Sequence, residues 1–198
     1  PIKYIYLVPT FQNPTGRTIP LDRRQAIAAI IQAHNVLLVE DDPYSDLRYQ
    51  GTALPPIKHF APDHVVYVST LSKTFAPGLR IGFCVAPGEI YRWLVIAKQG
   101  VDLHTSTFNQ ALAAEYLNGG YLQQQLPKIL DIYRPRQQAM LAALDRYMPT
   151  GFRWTEPEGG MFLSMEGPDG LDTEEIYWRA VEKQMAFVPG KFFFAEPG

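Results

Sequence analysis

Two short apolar segments, KYIYLVP at residues 3–9 and VLLVE at 36–40, flank a stretch whose apolar residues recur at helical spacing. The flanking segments are rich in β-branched and aromatic residues, the composition of a buried strand. Between them Ile27, Ile30 and Ile31 mark a helix from Leu21 to about His34, and Pro20 suits its first turn. Strand, helix, strand at this spacing is a βαβ unit, whose crossover helix lets the two strands run parallel. VVYVST (65–70) and IGFCVA (81–86) read as two more buried strands. The expected class is therefore α/β, a mainly parallel sheet covered by helices.

After Pro87 the pattern turns helical, with candidates over Gly88–Gln99, Phe108–Asn118 and Tyr121–Tyr147. An interruption of the last is expected near Pro127 or Pro135, because an interior proline removes a helical hydrogen bond. FRWTEP, GGMFLSM and MAFVPG then read as short strands around one helix, Asp172–Gln184, with Asp172 and Glu175 spaced as a capping box. The expected organisation is a large α/β part at 1–127, then a linker helix and a small α+β unit at 128–198.

Composition removes several function classes. Of 198 residues, 46% are hydrophobic and 19% charged, which fits a packed core and not a disordered chain. A net charge of -2 supplies no electrostatic footprint for nucleic acid or an anionic membrane. No apolar run is long enough to span a bilayer, and the single cysteine, Cys84, cannot form an internal disulfide. The expected address is cytoplasmic, and Cys84, in an apolar strand, is expected in the core. The chain opens PIKYIYLVPT without methionine and closes KFFFAEPG just after an apolar run, so it is expected to be a piece of something longer.

In an open parallel sheet, ligands bind beyond the carboxyl ends of the strands. Three polar clusters fall there: TFQNPTG (10–16), EDDPYSDLRY (40–49) and STLSK (69–73). Within STLSKTFAPGLRIGF (69–83), Lys73 and Arg80 stand among Phe75, Pro77, Leu79, Ile81 and Phe83. A cation in such surroundings costs free energy unless something pairs with it. A partly desolvated lysine can serve as a nucleophilic amine that forms a Schiff base with a carbonyl cofactor. Pyridoxal phosphate (PLP) has such a carbonyl. Its ring nitrogen needs a carboxylate, its phosphate needs an arginine with hydroxyl donors, and its ring hydroxyl oxygen needs donors. The sequence offers Lys73, Asp41, Arg80 with Thr70 and Ser72, and Asn13 with Tyr44. Strand alternation sets Glu40 and Asp42 on one side and Asp41 on the other, which leaves the choice between Asp41 and Asp42 open. The histidines at 34, 59, 64 and 104 lack metal-ligand spacing, so no metal is expected.

FQNPTG, EDDPY and TLSKTFAPGLRIG, in this order and spacing, resemble fold type I PLP-dependent aminotransferases of class I, and most closely the kynurenine/2-aminoadipate aminotransferase-like branch. The resemblance covers nearly the whole chain. It implies that Lys73 holds the cofactor covalently and moves the proton between substrate Cα and cofactor C4′. Asp41, three residues before Tyr44, would pair with the ring nitrogen. Tyr44 and Asn13 would bond the ring hydroxyl oxygen, with Asn13 also near the substrate carboxylate, and Thr70, Ser72 and Arg80 would bind the phosphate. GGMF (159–162) resembles the small-domain loop that approaches substrate. The resemblance further implies amino acid and 2-oxo acid substrates (aromatic or 2-aminoadipate-type donors, 2-oxoglutarate as acceptor) and a homodimer. It also implies segments not found in this sequence: a glycine-rich phosphate loop, an aromatic residue stacked on the ring, a tyrosine lent to the neighbouring subunit and an arginine for the substrate carboxylate. Two alternatives share the fold: a PLP-dependent lyase, and the effector domain of a GntR-type transcription regulator.

Overall fold

A computed structural model describes residues 2–195. Four strands form one sheet in the order β1 (Tyr4–Leu7), β2 (Leu37–Asp41), β3 (Val65–Thr70), β4 (Gly82–Val85). β1, β2 and β3 run parallel, with Tyr6 opposite Val39 and Glu40 opposite Tyr67, and β4 joins β3 antiparallel. The mainly parallel α/β sheet expected from sequence is thus present.

The crossover between β1 and β2 is helix α1 (Leu21–Ala33). Its Ala28 and Ile31 pack with Leu38, Val65, and Ile57 and Ala61 at the short helix α2 (Ile57–Phe60). Full burial of Ile31, Leu38 and Val65 stabilises the fold by about 1.5–3 kcal/mol each. Ile5 and Leu7 of β1 join this core, which leaves Tyr4 and Tyr6 on the opposite face.

Helices α3 (Gly88–Val101), α4 (Thr107–Asn118) and α5 (Tyr121–Tyr147) follow. α5 is continuous, contrary to the expected interruption, with Pro127 and Pro135 inside it. Each proline withholds one amide from the carbonyl four residues before it. Those carbonyls belong to Gln123 and Asp131, both exposed, where water can take the place of the missing donor. Residue 128, where the second unit was expected to begin, lies inside this helix, and its expected end, residues 196–198, lies outside the described residues.

The last part is sparser in strand than its sequence implies. β5 (Arg153–Trp154) and β6 (Met165–Glu166) pair antiparallel over two residues each, and MAFVPG pairs with no strand among the described residues. A strand needs a neighbour for its backbone groups, which local apolar composition cannot supply. Helix α6 (Thr173–Val181) ends short of Gln184. Asp172 caps it by accepting from the amides of Glu174 and Glu175, while Glu175 reaches along the helix to Arg179 in place of the return arm of a capping box.

β4 corrects a second expectation: all its residues are exposed, Cys84 among them. It is an edge strand of the sheet among the described residues. No described helix is long and apolar enough to cross a membrane.

Candidate active site

The three polar clusters meet along the carboxyl edge of β1–β3, because parallel strands end on the same side. The first loop, residues 8–20, is anchored from below by Arg24. This guanidinium is 1% exposed and shares the buried stripe of α1 with Ala28 and Ile31. Its Nε donates to the Ile19 carbonyl at 2.8 Å and its Nη1 to the Pro55 carbonyl at 3.0 Å. Its Nη2 donates to the Pro9 carbonyl at 3.1 Å and to Thr10 Oγ1 at 2.7 Å. Both ends of the loop that carries Asn13 are therefore fixed by one charged group. Within the loop, Gln12 Oε1 accepts from the Thr15 amide and hydroxyl.

The acidic triplet divides as strand alternation requires. Glu40 is fully buried, and its two carboxylate oxygens accept from the Ile57 and Lys58 amides, both at 2.8 Å. Burial pushes its carboxyl up, and those two amide bonds pull the other way. Asp42 is buried on the same side, where Tyr67 donates to Oδ2 at 2.9 Å and Oδ1 has no partner among the described residues. Asp41 faces the other side. Tyr6 donates its phenol to Asp41 Oδ2 at 2.5 Å, and Oδ1 receives no hydrogen bond among the described residues.

Tyr44 stands next to this pair. Burial pushes its phenol up most, the Asn13 side-chain hydrogen bond draws it down, and the charge of Asp41 raises it. Asn13, Asp41, Tyr44 and Tyr6 are thus one cluster drawn from two loops and two strands. Tyr6 is pushed up to about 12, by burial first and then by its bond to Asp41.

The third cluster follows β3. Thr70 donates to the Ile81 carbonyl at 3.1 Å, its hydroxyl lies 2.8 Å from that of Ser72, and it accepts from the Ser72 amide at 3.1 Å. The turn holding half-buried Lys73 is closed by the Phe75 amide on the Leu71 carbonyl at 2.8 Å. Helix α4 braces it: Tyr116 donates to the Thr74 carbonyl at 2.8 Å and stacks on Phe75, and Asn109 donates to the Leu79 carbonyl at 3.0 Å. Arg80 follows a short 3-10 turn, Pro77–Leu79, in the left-handed backbone region (φ 54), and reaches back to the Pro77 carbonyl at 3.3 Å. Among the described residues neither Lys73 nor Arg80 forms an ion pair, and no hydrogen bond joins Arg80 to Thr70 or Ser72.

GGMF (159–162) docks on the second loop. The Gly160 amide donates to the Leu47 carbonyl at 2.8 Å, and the Tyr49 amide donates to the Glu158 carbonyl at 2.7 Å. Arg48 pairs with Glu158 at 2.7 Å and lies over the Phe11 ring. Phe162 meets Tyr44 edge-on, with ring centroids 5.5 Å apart. Sequence reasoning passed over Arg24, Tyr6 and Arg48. Arg24 had a signal, a charge at the i−4 position of an otherwise apolar helical stripe, and Tyr6 had another, a phenol on the face of β1 opposite its aliphatic residues. Cys84 is exposed, and partial burial pushes its thiol up, which disfavours the nucleophilic thiolate.

A family model described as aminotransferase class I and II matches residues 3–196. The chain is similar to aromatic-amino-acid aminotransferase 1 of Thermococcus litoralis, 47% identical over 98% of this chain and 47% of the relative. Among solved structures it is similar to the multiple substrate aminotransferase of Thermococcus profundus, with 50% identity, a TM-score of 0.94, and coverage of 97% of this chain and 48% of the other. It is also similar to the alpha-aminoadipate aminotransferase of Thermus thermophilus complexed with N-(5'-phosphopyridoxyl)-L-leucine, with 43% identity, a TM-score of 0.93, and coverage of 98% and 51%. The chain spans about half the length of the curated relatives it matches.

Proposed function

Because the chain belongs to the class I and II aminotransferases, we propose that the protein carrying it is a PLP-dependent aminotransferase. It moves an amino group from an aromatic or 2-aminoadipate-like amino acid to a 2-oxo acid such as 2-oxoglutarate. The observation that carries this reading is the donor set on one sheet edge. That edge presents an amine (Lys73), a carboxylate with one oxygen free of donors among the described residues (Asp41), a phenol–amide pair (Tyr44 and Asn13) and a hydroxyl pair (Thr70 and Ser72).

These residues fit PLP. The group, when bound, supplies a carbonyl for the lysine and an electron sink for charge that develops at the substrate Cα. Lys73 would hold it covalently and then move the proton between the substrate Cα and the cofactor. Asp41 would pair its second oxygen with the ring nitrogen. Asn13 and Tyr44 would donate to the ring hydroxyl oxygen, with Asn13 near the substrate carboxylate. Thr70, Ser72 and Arg80 would take the phosphate, for which Arg80 would turn away from the Pro77 carbonyl. GGMF lies against Tyr44 and closes one wall of the substrate space.

The donor class follows the relatives: one is an aromatic-amino-acid aminotransferase and another a 2-aminoadipate transaminase. The test is to incubate the purified protein with PLP, 2-oxoglutarate and aromatic or 2-aminoadipate donors, and to measure glutamate. Ammonia, pyruvate and a thiol released from a cysteine S-conjugate, with no glutamate from any donor, would replace this reading with the lyase.

A further inference from the structure

We propose that Tyr6 is a positioning residue for Asp41, and that its hydroxyl fixes the carboxylate so that Oδ1 faces the ring nitrogen of PLP. The inference rests on the proposed reading of Asp41 as that nitrogen's partner. Its basis is a juxtaposition across two neighbouring strands. Tyr6 lies in β1 opposite Val39 of β2, two residues before Asp41, on the face away from the aliphatic core. From there the phenol reaches Asp41 Oδ2.

A carboxylate that accepts one hydrogen bond has one oxygen and one rotamer specified. The second oxygen then points where the first does not. An oriented Oδ1 can accept the ring-nitrogen proton in a hydrogen bond, and a ring that carries that proton withdraws electrons. Tyr6 can hold this role across the physiological range, because its own phenol is pushed up to about 12 and stays a donor. Among the described residues Tyr6 is the phenol that donates to Asp41.

The experiment compares Tyr6→Phe, Tyr4→Phe and Asp41→Ala in the protein carrying this chain, loaded with PLP labelled with 15N in the ring. Tyr6→Phe keeps the ring and removes only the hydroxyl. Its ring-nitrogen resonance should move toward that of neutral pyridine. The apoprotein's affinity for PLP should fall about tenfold or more, the range for a hydrogen bond to a charged group. Turnover should fall by a similar factor while KM stays within about twofold, since the substrate is not contacted. Tyr4→Phe removes a hydroxyl from the same strand face and should leave the resonance and the affinity unchanged. An equal shift in Tyr4→Phe would assign the effect to the strand as a whole and overturn the inference. If Asp41→Ala moves the resonance and Tyr6→Phe does not, the inference fails and the reading of Asp41 stands. If neither variant moves it, the reading of Asp41 fails, and the inference with it.

Discussion

Phe162 meets Tyr44 edge-on at 5.5 Å between ring centroids. The contact spans more than a hundred residues of sequence and joins GGMF to the loop that follows β2. It is not isolated. Gly159 forms a bridge with Arg48, and Gly160 donates to Leu47. A Cβ at Gly159 would stand 2.3 Å from the Leu47 carbonyl oxygen and 2.5 Å from the Phe11 ring. A glycine is required there because two backbones and an aromatic ring meet at that point.

Gly159→Ala should therefore destabilise the fold by about 1–3 kcal/mol, the usual range for overpacking. It should also lower turnover, because the shift reaches Tyr44 through Phe162. Thermal unfolding and steady-state kinetics of the variant measure both. An unchanged midpoint would mean the loop moves away at no cost.

Lys73→Ala should lose aminotransfer almost completely, because it removes both the covalent anchor and the proton carrier. In the unaltered protein, borohydride followed by peptide mapping should place the cofactor label on Lys73. A label on Lys58 or Lys98 would end the assignment.

Asp41→Ala should keep some PLP yet turn over on the order of a hundredfold or more slowly, the scale of losing a preorganised charge in a site. Asp42→Ala should spare the chemistry and act on stability. Asp42 faces the Tyr67 side of the sheet and, among the described residues, has one oxygen without a partner. The reverse pattern, measured in the same assay, would exchange the two roles.

Arg80→Lys should weaken PLP affinity more than it slows turnover at saturating PLP. A guanidinium forks two donors onto a phosphate, whereas an ammonium acts as a point charge. Equal PLP affinity in the two proteins would exclude the phosphate role.

Stability should fall at alkaline pH. Tyr6 and Tyr49 are pushed from 10.0 to about 12, burial being the first cause in each, and Tyr44, Tyr67 and Tyr116 are also raised. Above the unfolded value the folded chain holds these protons and the unfolded chain does not. Folding is then opposed progressively as pH climbs through that window. The unfolding midpoint should be lower near pH 11 than near pH 9, with a shallower fall in Tyr49→Phe. An identical slope in that variant would remove Tyr49 from the account.

The local pattern of the sequence determined the strands of the sheet, the crossover helix and the three loops at its carboxyl edge. Strand alternation and helical spacing depend on chain geometry that acts over a few residues, and parallel strands bring their following loops to one side. Alternation alone separated Asp41 from Glu40 and Asp42. Tertiary structure decided what each of those groups touches. Tyr6 finds Asp41 only because β1 and β2 pair in one register, and a shift of one residue would turn the phenol into the core. Arg24 is satisfied by carbonyls from two different loops, a fact absent from the helix that carries it. The continuity of α5 through two prolines, the missing strand at MAFVPG and the exposure of β4 with Cys84 also lay beyond the local pattern. Burial and backbone pairing depend on which neighbours arrive, and those neighbours come from elsewhere in the chain.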